Sequence, residues 1–174
     1  MSRDDLNPEN RPLWAPWRLS YVTGMRSPGS CFLCEKGTAS PEHDAENLVI
    51  ARGRTAFVLL NAYPYNSGHA MIAPYRHVPG IVDLTAEERN EILELEVKLQ
   101  KAMVRVMRPD GFNFGFNIGE AAGAGLVGHL HGHLVPRWHG DTNFMPVLAD
   151  VRIVSQALED SAKLLRQAWN DLGK

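Results

Sequence analysis

The sequence predicts an α+β fold: an antiparallel sheet of about five strands, one long helix packed on it and a second helix at the C-terminus. Three observations predict it. Five short apolar or alternating runs, each bounded by turn formers, read as strands. One long segment between the third and fourth runs carries apolar residues at three- and four-residue steps behind a capping box. At the fifth run, histidines recur at every second position, which is the side-chain period of a strand.

Residues 1–13 are polar and contain Pro8 and Pro12, so a flexible or loosely docked arm is expected ahead of a single domain over 14–174. Trp14, Trp17 and Tyr21 then crowd beside Arg18, a density that covers either the protein's own core, a subunit neighbour or an adenine ring. Cys31 and Cys34 follow, between Ser27-Pro28-Gly29-Ser30 and Glu35-Lys36-Gly37-Thr38, flanks that read as loops.

Residues 48–51 and 56–60, separated by Arg52-Gly53-Arg54-Thr55, read as a β-hairpin. Residues 69–73 give a third strand, entered through Pro64-Tyr65-Asn66-Ser67-Gly68. Thr85 as N-cap and Glu88 three residues later start the long helix. Its stripe is Ile92, Leu95, Leu99, Met103 and Val106, which predicts a face packed on the sheet.

Arg108-Pro109-Asp110-Gly111 stops that helix, and residues 112–118 alternate aromatic with small or polar residues as a half-buried fourth strand. Residues 129–135 are the fifth. Val154, Ala157, Leu158, Leu165, Ala168, Trp169 and Leu172 mark the C-terminal amphipathic helix. The chain has no internal repeat or low-complexity segment.

At 174 residues the chain can bury one good core. A net charge of -2 with mixed signs argues against a nucleic-acid or membrane-surface binder, which would carry a basic excess. No apolar run approaches ~18 residues and the polar start lacks a signal-peptide core, so a soluble cytoplasmic protein is expected. In that compartment two cysteines at Cys-x-x-Cys spacing suggest metal ligation or redox exchange more than a structural disulfide. A thioredoxin-like pair opens a helix after a strand, and the loop-like flanks here favour zinc. Two thiolates need two further ligands, and any two of His43, His69, His77 and His129 can serve.

In His129-Leu130-His131-Gly132-His133-Leu134-Val135, strand alternation sends three imidazoles to one face and Leu130, Gly132 and Leu134 to the other. Three of the seven histidines fall within five residues, which makes a strand rich in histidine by chance a poor account. Neutral imidazole is a nucleophile, an acid or base, or a metal ligand, so both a zinc site and phosphoryl or nucleotidyl transfer stay open. The preceding Gly119-Glu120-Ala121-Ala122-Gly123-Ala124-Gly125 favours phosphate. A turn poor in side chains lets the backbone amides of Gly123, Ala124 and Gly125 approach an anion. Asn117, just before that turn, falls within reach of the same phosphates.

Gly128 to Arg137 resembles the His-x-His-x-His-x-x signature of the histidine triad (HIT) family of nucleotide hydrolases and transferases. Asn61 to Pro74 is similar to the family's Asn…Gly-His strand pair, and Cys31-Phe32-Leu33-Cys34 to its N-terminal Cys-x-x-Cys. Trp14-Ala15-Pro16-Trp17-Arg18, Arg76-His77-Val78, Pro136-Arg137-Trp138 and residues 140–147 resemble the bacterial diadenosine tetraphosphate phosphorylase branch. The likeness spans residues 14 to 147. Gly132 departs from it, standing where the family usually has a bulky apolar residue and thinning the packing behind the triad.

The resemblance implies a HIT-like fold. It implies His131 as nucleophile toward the α-phosphate of a nucleoside polyphosphate, with His133 and the glycine turn holding phosphate oxygens and His129 completing the catalytic row. It implies His69 as a support behind the triad and Asn61 as a partner of a ribose hydroxyl. It also implies zinc on Cys31, Cys34, His77 and His129, and a homodimer.

The resemblance implies that the nucleotidyl group passes either to inorganic phosphate, giving ATP and ADP from diadenosine tetraphosphate, or to water. The branch likeness favours phosphate. A hydrolase of dinucleoside polyphosphates or nucleoside phosphoramidates, a zinc-stabilised nucleotide-binding module without turnover, and a redox protein built on the cysteines remain as alternatives. No carboxylate pair or Walker-type motif points to a magnesium-built site, although magnesium or manganese can ride on the substrate phosphates.

Overall fold

A computed structural model describes residues 30–141 and 157–173. The sequence features at residues 1–29, residues 142–147 and Val154 lie outside the described residues. The element order is α1 (Phe32–Thr38), β1 (Val49–Arg52), β2 (Ala56–Leu60), β3 (Ala70–Pro74), α2 (Ala86–Met107), β4 (Gly111–Phe116), β5 (Gly132–Arg137) and α3 (Leu158–Asp171). The strands form one antiparallel sheet in the order β1-β2-β3-β5-β4, so the chain crosses over through α2 and the last strand inserts beside the third.

Alternation along the strands divides the apolar residues between two faces. Val58, Leu60, Ala70, Ile72, Leu130 and Leu134 face α2 and α3 in the main core, with Ile92, Leu95, Leu99, Met103, Leu165 and Trp169 from the helices. Val49, Phe57, Leu59, Met71 and Ala73 form a smaller core on the other face with Leu33 of α1. The chemistry-bearing side chains share this second face.

The capping box at the start of α2 is present: Glu88 N–H donates to the Thr85 hydroxyl at 3.2 Å and Thr85 N–H to the Glu88 carboxylate at 2.8 Å. Val106 is 37% exposed and does not join the buried stripe. Continuing from Met103, a four-residue step lands on Met107, which packs against the core instead.

The Cys31–Cys34 flank is not a loop. Cys31 is the N-cap of α1, and Glu35 N–H bonds the Cys31 carbonyl at 3.0 Å. Buried Leu33, within this turn, supplies the apolar contact that holds it against the sheet.

The regular fifth strand begins at Gly132, not His129. Leu130 N–H turns away to the Val78 carbonyl at 2.7 Å, so residues 129–131 bond the loop after β3 instead of extending the ladder. The in-out alternation nevertheless holds, with Leu130 and Leu134 in the main core. At Gly132 a Cβ would lie 3.1 Å from both the Phe114 and Phe116 rings, so these cross-strand aromatics fill the space a larger residue would take.

Candidate active site and metal centre

Four histidines share the second face; backbone groups fix the tautomers of His69, His129 and His131, and His69 fixes that of His133. Tyr65 N–H donates to Nδ1 of His69 at 3.0 Å, which leaves the His69 proton on Nε2. That Nε2 is 3.0 Å from Nδ1 of His133. His133 therefore accepts at Nδ1 and carries its own proton on Nε2, a buried atom with no hydrogen-bond partner among the described residues. Burial, together with the neighbouring His131, depresses the His133 pKa from 6.5 to about 4, so the ring is a neutral donor.

His131 has the opposite tautomer. Its Nδ1 lies 2.8 Å from the His129 carbonyl and donates to it, leaving a lone pair on Nε2. The rings of His131 and His133 meet edge to face at 4.8 Å between centroids. A nucleophilic nitrogen thus stands beside an N–H donor that lacks an acceptor. An orphaned buried donor calls for explanation, and an incoming oxygen anion supplies one.

His129 points elsewhere. Its Nε2 bonds the Pro74 carbonyl at 2.8 Å, while Nδ1 lies 3.2 Å from Sγ of Cys31 and 3.3 Å from Sγ of Cys34. Nδ1 of His77 is also 3.3 Å from Cys34 Sγ. Ligand atoms of Cys31, Cys34, His77 and His129 all lie within 4.8 Å of one another. A tetrahedral zinc with bonds of about 2.3 Å to sulfur and about 2.0 Å to nitrogen sets S···N separations near 3.5 Å, so the four donors fit that ion closely. The Pro74 carbonyl supplies the outer partner that a metal-bound imidazole usually has. Burial, then Cys31 alongside, pushes the Cys34 thiol up to about 11, a penalty that a cation at this position relieves.

Of the four histidines compatible with the cysteine pair, the fold thus selects His77 and His129. His69 is committed to His133, and His43 pairs with Glu42 and Glu46. Although the pair does open a helix, as a redox motif would, the two imidazoles converging on the sulfurs make a metal centre the better match.

Asn61 closes β2, its amide nitrogen 3.4 Å from His69 Nδ1 and its oxygen accepting Tyr63 N–H at 2.9 Å. Asn117 follows β4, one residue past Phe116, whose register partner is Gly132 at the start of β5. The glycine turn contributes less than expected: Gly123 N–H bonds Glu120 O and Ala124 N–H bonds Gly119 O, so these two amides close the turn on itself. Gly125 follows them in the approach to the triad.

Arg137 and His139 are engaged by Asp141 and Asp110 respectively. They lie four and six residues past His133, and four residues span roughly 13 Å of strand. Sequence reasoning passed over Tyr65, whose ring stacks on His69 at 4.6 Å and whose amide orients it. Its position four residues before His69, in a turn, was the available signal.

The HIT domain family model matches residues 42–140. The chain is 41% identical over 162 residues to the protein named AP-4-A phosphorylase in two strains of Mycobacterium tuberculosis, covering 90% of this chain and 83% of that one. It is 33% identical over 82 residues to the bis(5'-adenosyl)-triphosphatase of Dictyostelium discoideum, covering 47% of this chain and 54% of the relative. Among solved structures, a zinc-bound histidine triad family protein from Mycobacterium smegmatis superposes with a TM-score of 0.65 at 26% identity, over 83% of this chain and 96% of that one.

Proposed function

The chain belongs to the histidine triad (HIT) family, and from that premise we propose that it is a nucleotidyltransferase acting on dinucleoside polyphosphates, with diadenosine tetraphosphate and inorganic phosphate as its substrates. The observation that carries this reading is the pairing of the Nε2 lone pair of His131 with the unpartnered Nε2–H of His133. The likeness to an AP-4-A phosphorylase over most of both chains supports the choice of substrate and of phosphate as acceptor.

In the first half-reaction, His131 Nε2 attacks the α-phosphorus in line. The nitrogen–phosphorus bond forms as the bond to the bridging oxygen breaks, and ATP leaves. His133 Nε2–H faces the oxygen that gains charge; a preorganised donor of this kind contributes about 3 kcal/mol in precedent. In the second half-reaction, phosphate displaces the nitrogen from the AMP group and ADP departs, restoring His131. Asn61, Asn117 and Gly125 are the groups we assign to ribose and phosphate contacts, with Gly123 and Ala124 shaping the turn. His69 and His129 support the reacting pair, the first through its hydrogen bond to His133 and the second through its carbonyl.

Cys31, Cys34, His77 and His129 would hold zinc, a structural ion that ties α1 and the loop after β3 to the residue whose carbonyl orients His131. Magnesium or manganese, where present, would accompany the substrate phosphates. Exposed Leu93, Val97 and Val104 on α2 support a homodimer. We further propose a cytoplasmic setting; the described residues contain no helix long and apolar enough to cross a membrane. The net charge of -2 accords with a nucleotide rather than a nucleic acid as ligand. We treat residues 14–174 as one HIT-like domain preceded by an arm.

Incubation with diadenosine tetraphosphate, with and without phosphate, tests the proposal. ATP and ADP appearing only with phosphate are expected. AMP and ATP regardless of phosphate would assign the hydrolase reaction instead, and no products would leave a binding module.

A further inference from the structure

The turn that presents Tyr65 to His69 is held from a distance. Asn66 donates through Nδ2 to the Asp141 carboxylate at 2.7 Å and to the Pro136 carbonyl at 3.2 Å. Its own carbonyl accepts His69 N–H at 3.1 Å, and its Oδ1 accepts Ser67 N–H at 3.0 Å. Gly68 adopts φ 77° in this turn, and a Cβ there would sit 2.8 Å from the Met107 side chain, so the backbone passes tightly between α2 and β5. Tyr63 and Tyr65 are exposed on the outer side of the turn, and the Tyr65 ring stacks on His69.

The Asp141 side chain is only 8% exposed, an uncommon state for a carboxylate. Besides Asn66 it accepts Arg137 Nε at 2.6 Å, Arg137 Nη2 at 2.8 Å and Trp138 N–H at 3.1 Å. Arg137 also reaches Asn113 on β4 at 3.0 Å. The carboxylate thus joins the end of the β4–β5 hairpin to the turn before β3.

We propose that Asp141 is a positioning residue: by clamping Asn66 it keeps the Tyr65 amide on His69 Nδ1, and so sets the proton on Nε2 of His69 and in turn on Nε2 of His133. The role in turnover rests on the nucleotidyl-transfer reading, whereas the tautomer it sets exists in the substrate-free protein. Asp141 touches no reacting atom. Its influence passes through one side-chain bond, one turn and two imidazoles. Without the clamp the outer turn relaxes, His69 Nδ1 loses the 3.0 Å Tyr65 amide and is left with the longer 3.4 Å contact to the Asn61 side chain, and His133 populates both tautomers.

The test is long-range ¹H–¹⁵N correlation NMR of histidine-labelled full-length protein without substrate, in Asp141→Ala, Asn66→Ala and Asp110→Ala. Asp110→Ala removes a neighbouring contact that does not involve Asn66, that of the ring and backbone N–H of His139 on the Asp110 carboxylate. The expected result is a neutral Nε2–H pattern for His133 in the parent and in Asp110→Ala, and a tautomer mixture in the other two, with the thermal midpoint reported alongside. With diadenosine tetraphosphate, kcat should fall on the order of tenfold or more in those two variants, with KM little changed. A His133 pattern unaltered in a folded Asn66→Ala or Asp141→Ala variant, with the tautomer sustained by the Asn61 side-chain amide instead, overturns the proposal. Altered tautomers with no turnover in any protein, the parent included, would leave the positioning chain standing and remove the enzymatic reading.

Discussion

Nε2 of His69 meets Nδ1 of His133 at 3.0 Å, and this contact turns a backbone amide at Tyr65 into a proton on the far side of His133. The histidine face is therefore preorganised: His133 presents an N–H, and its neighbour His131, through the His129 carbonyl, presents a nitrogen lone pair, the arrangement the proposed nucleotidyl transfer requires.

His69→Ala cuts that wiring while leaving His131 in place. Steady-state kinetics should show kcat lowered by about tenfold to a hundredfold with KM nearly unchanged, since the lost donor acts on the leaving oxygen. An equal rise in KM with kcat intact would assign His69 to ground-state binding.

His133 titrates far below an ordinary histidine. Its folded pKa of about 4 lies under the 6.5 of the unfolded chain, so the unfolded state binds more protons between those values. Stability from this group is fully present above pH 6.5, is lost as pH falls, and is gone below about 4. Over that window the loss is on the order of 3 kcal/mol. Urea melts of the parent and His133→Gln across pH 4 to 7 should show a steeper decline in the parent; parallel curves would contradict the neutral, buried ring.

Removal of the metal should act on structure and on the nucleophile together. Chelation, or Cys34→Ser, is expected to lower the thermal midpoint and release one zinc per chain, because binding energy at a site formed only in the folded state is folding energy. The His131 Nδ1–H signal should also shift, since its acceptor is the carbonyl of a ligand residue. Retained stability with no metal by elemental analysis would dismiss the zinc centre.

Gly132 has no room for a side chain. Gly132→Val would press on Phe114 and Phe116, whose rings already stand 3.1 Å from the Cβ position, and should destabilise by about 1–3 kcal/mol. Phe116→Ala in the same protein should recover part of this. Additive losses in the double variant would mean that the aromatics do not fill that space.

The sequence carried the sheet, the long helix and the histidine face because each rests on a local period or cap: Thr85 with Glu88, the 92–103 stripe, and the alternation of residues 129–135. It missed α1 because seven residues, with Gly37 among them, give helix propensity little to sum, and the docking of Leu33 decides the matter. The Tyr65 amide, the Pro74 carbonyl and the Asp141 clamp were invisible for a related reason. They are backbone groups, or partners up to 75 residues apart, and no local pattern encodes such a contact. Likewise, the glycine turn read as open amides because spacing does not reveal that Gly123 and Ala124 bond within it.

The proposed nucleotidyl transfer passes through a covalent bond between His131 Nε2 and phosphorus. Intact-protein mass spectrometry of an acid-sparing quench, taken early in the reaction with diadenosine tetraphosphate and without phosphate, tests it most directly. The expected result is a species heavier by one AMP, mapped to His131 and discharged to ADP when phosphate is added. Normal turnover by His131→Asn, with no such species in the parent, would contradict it.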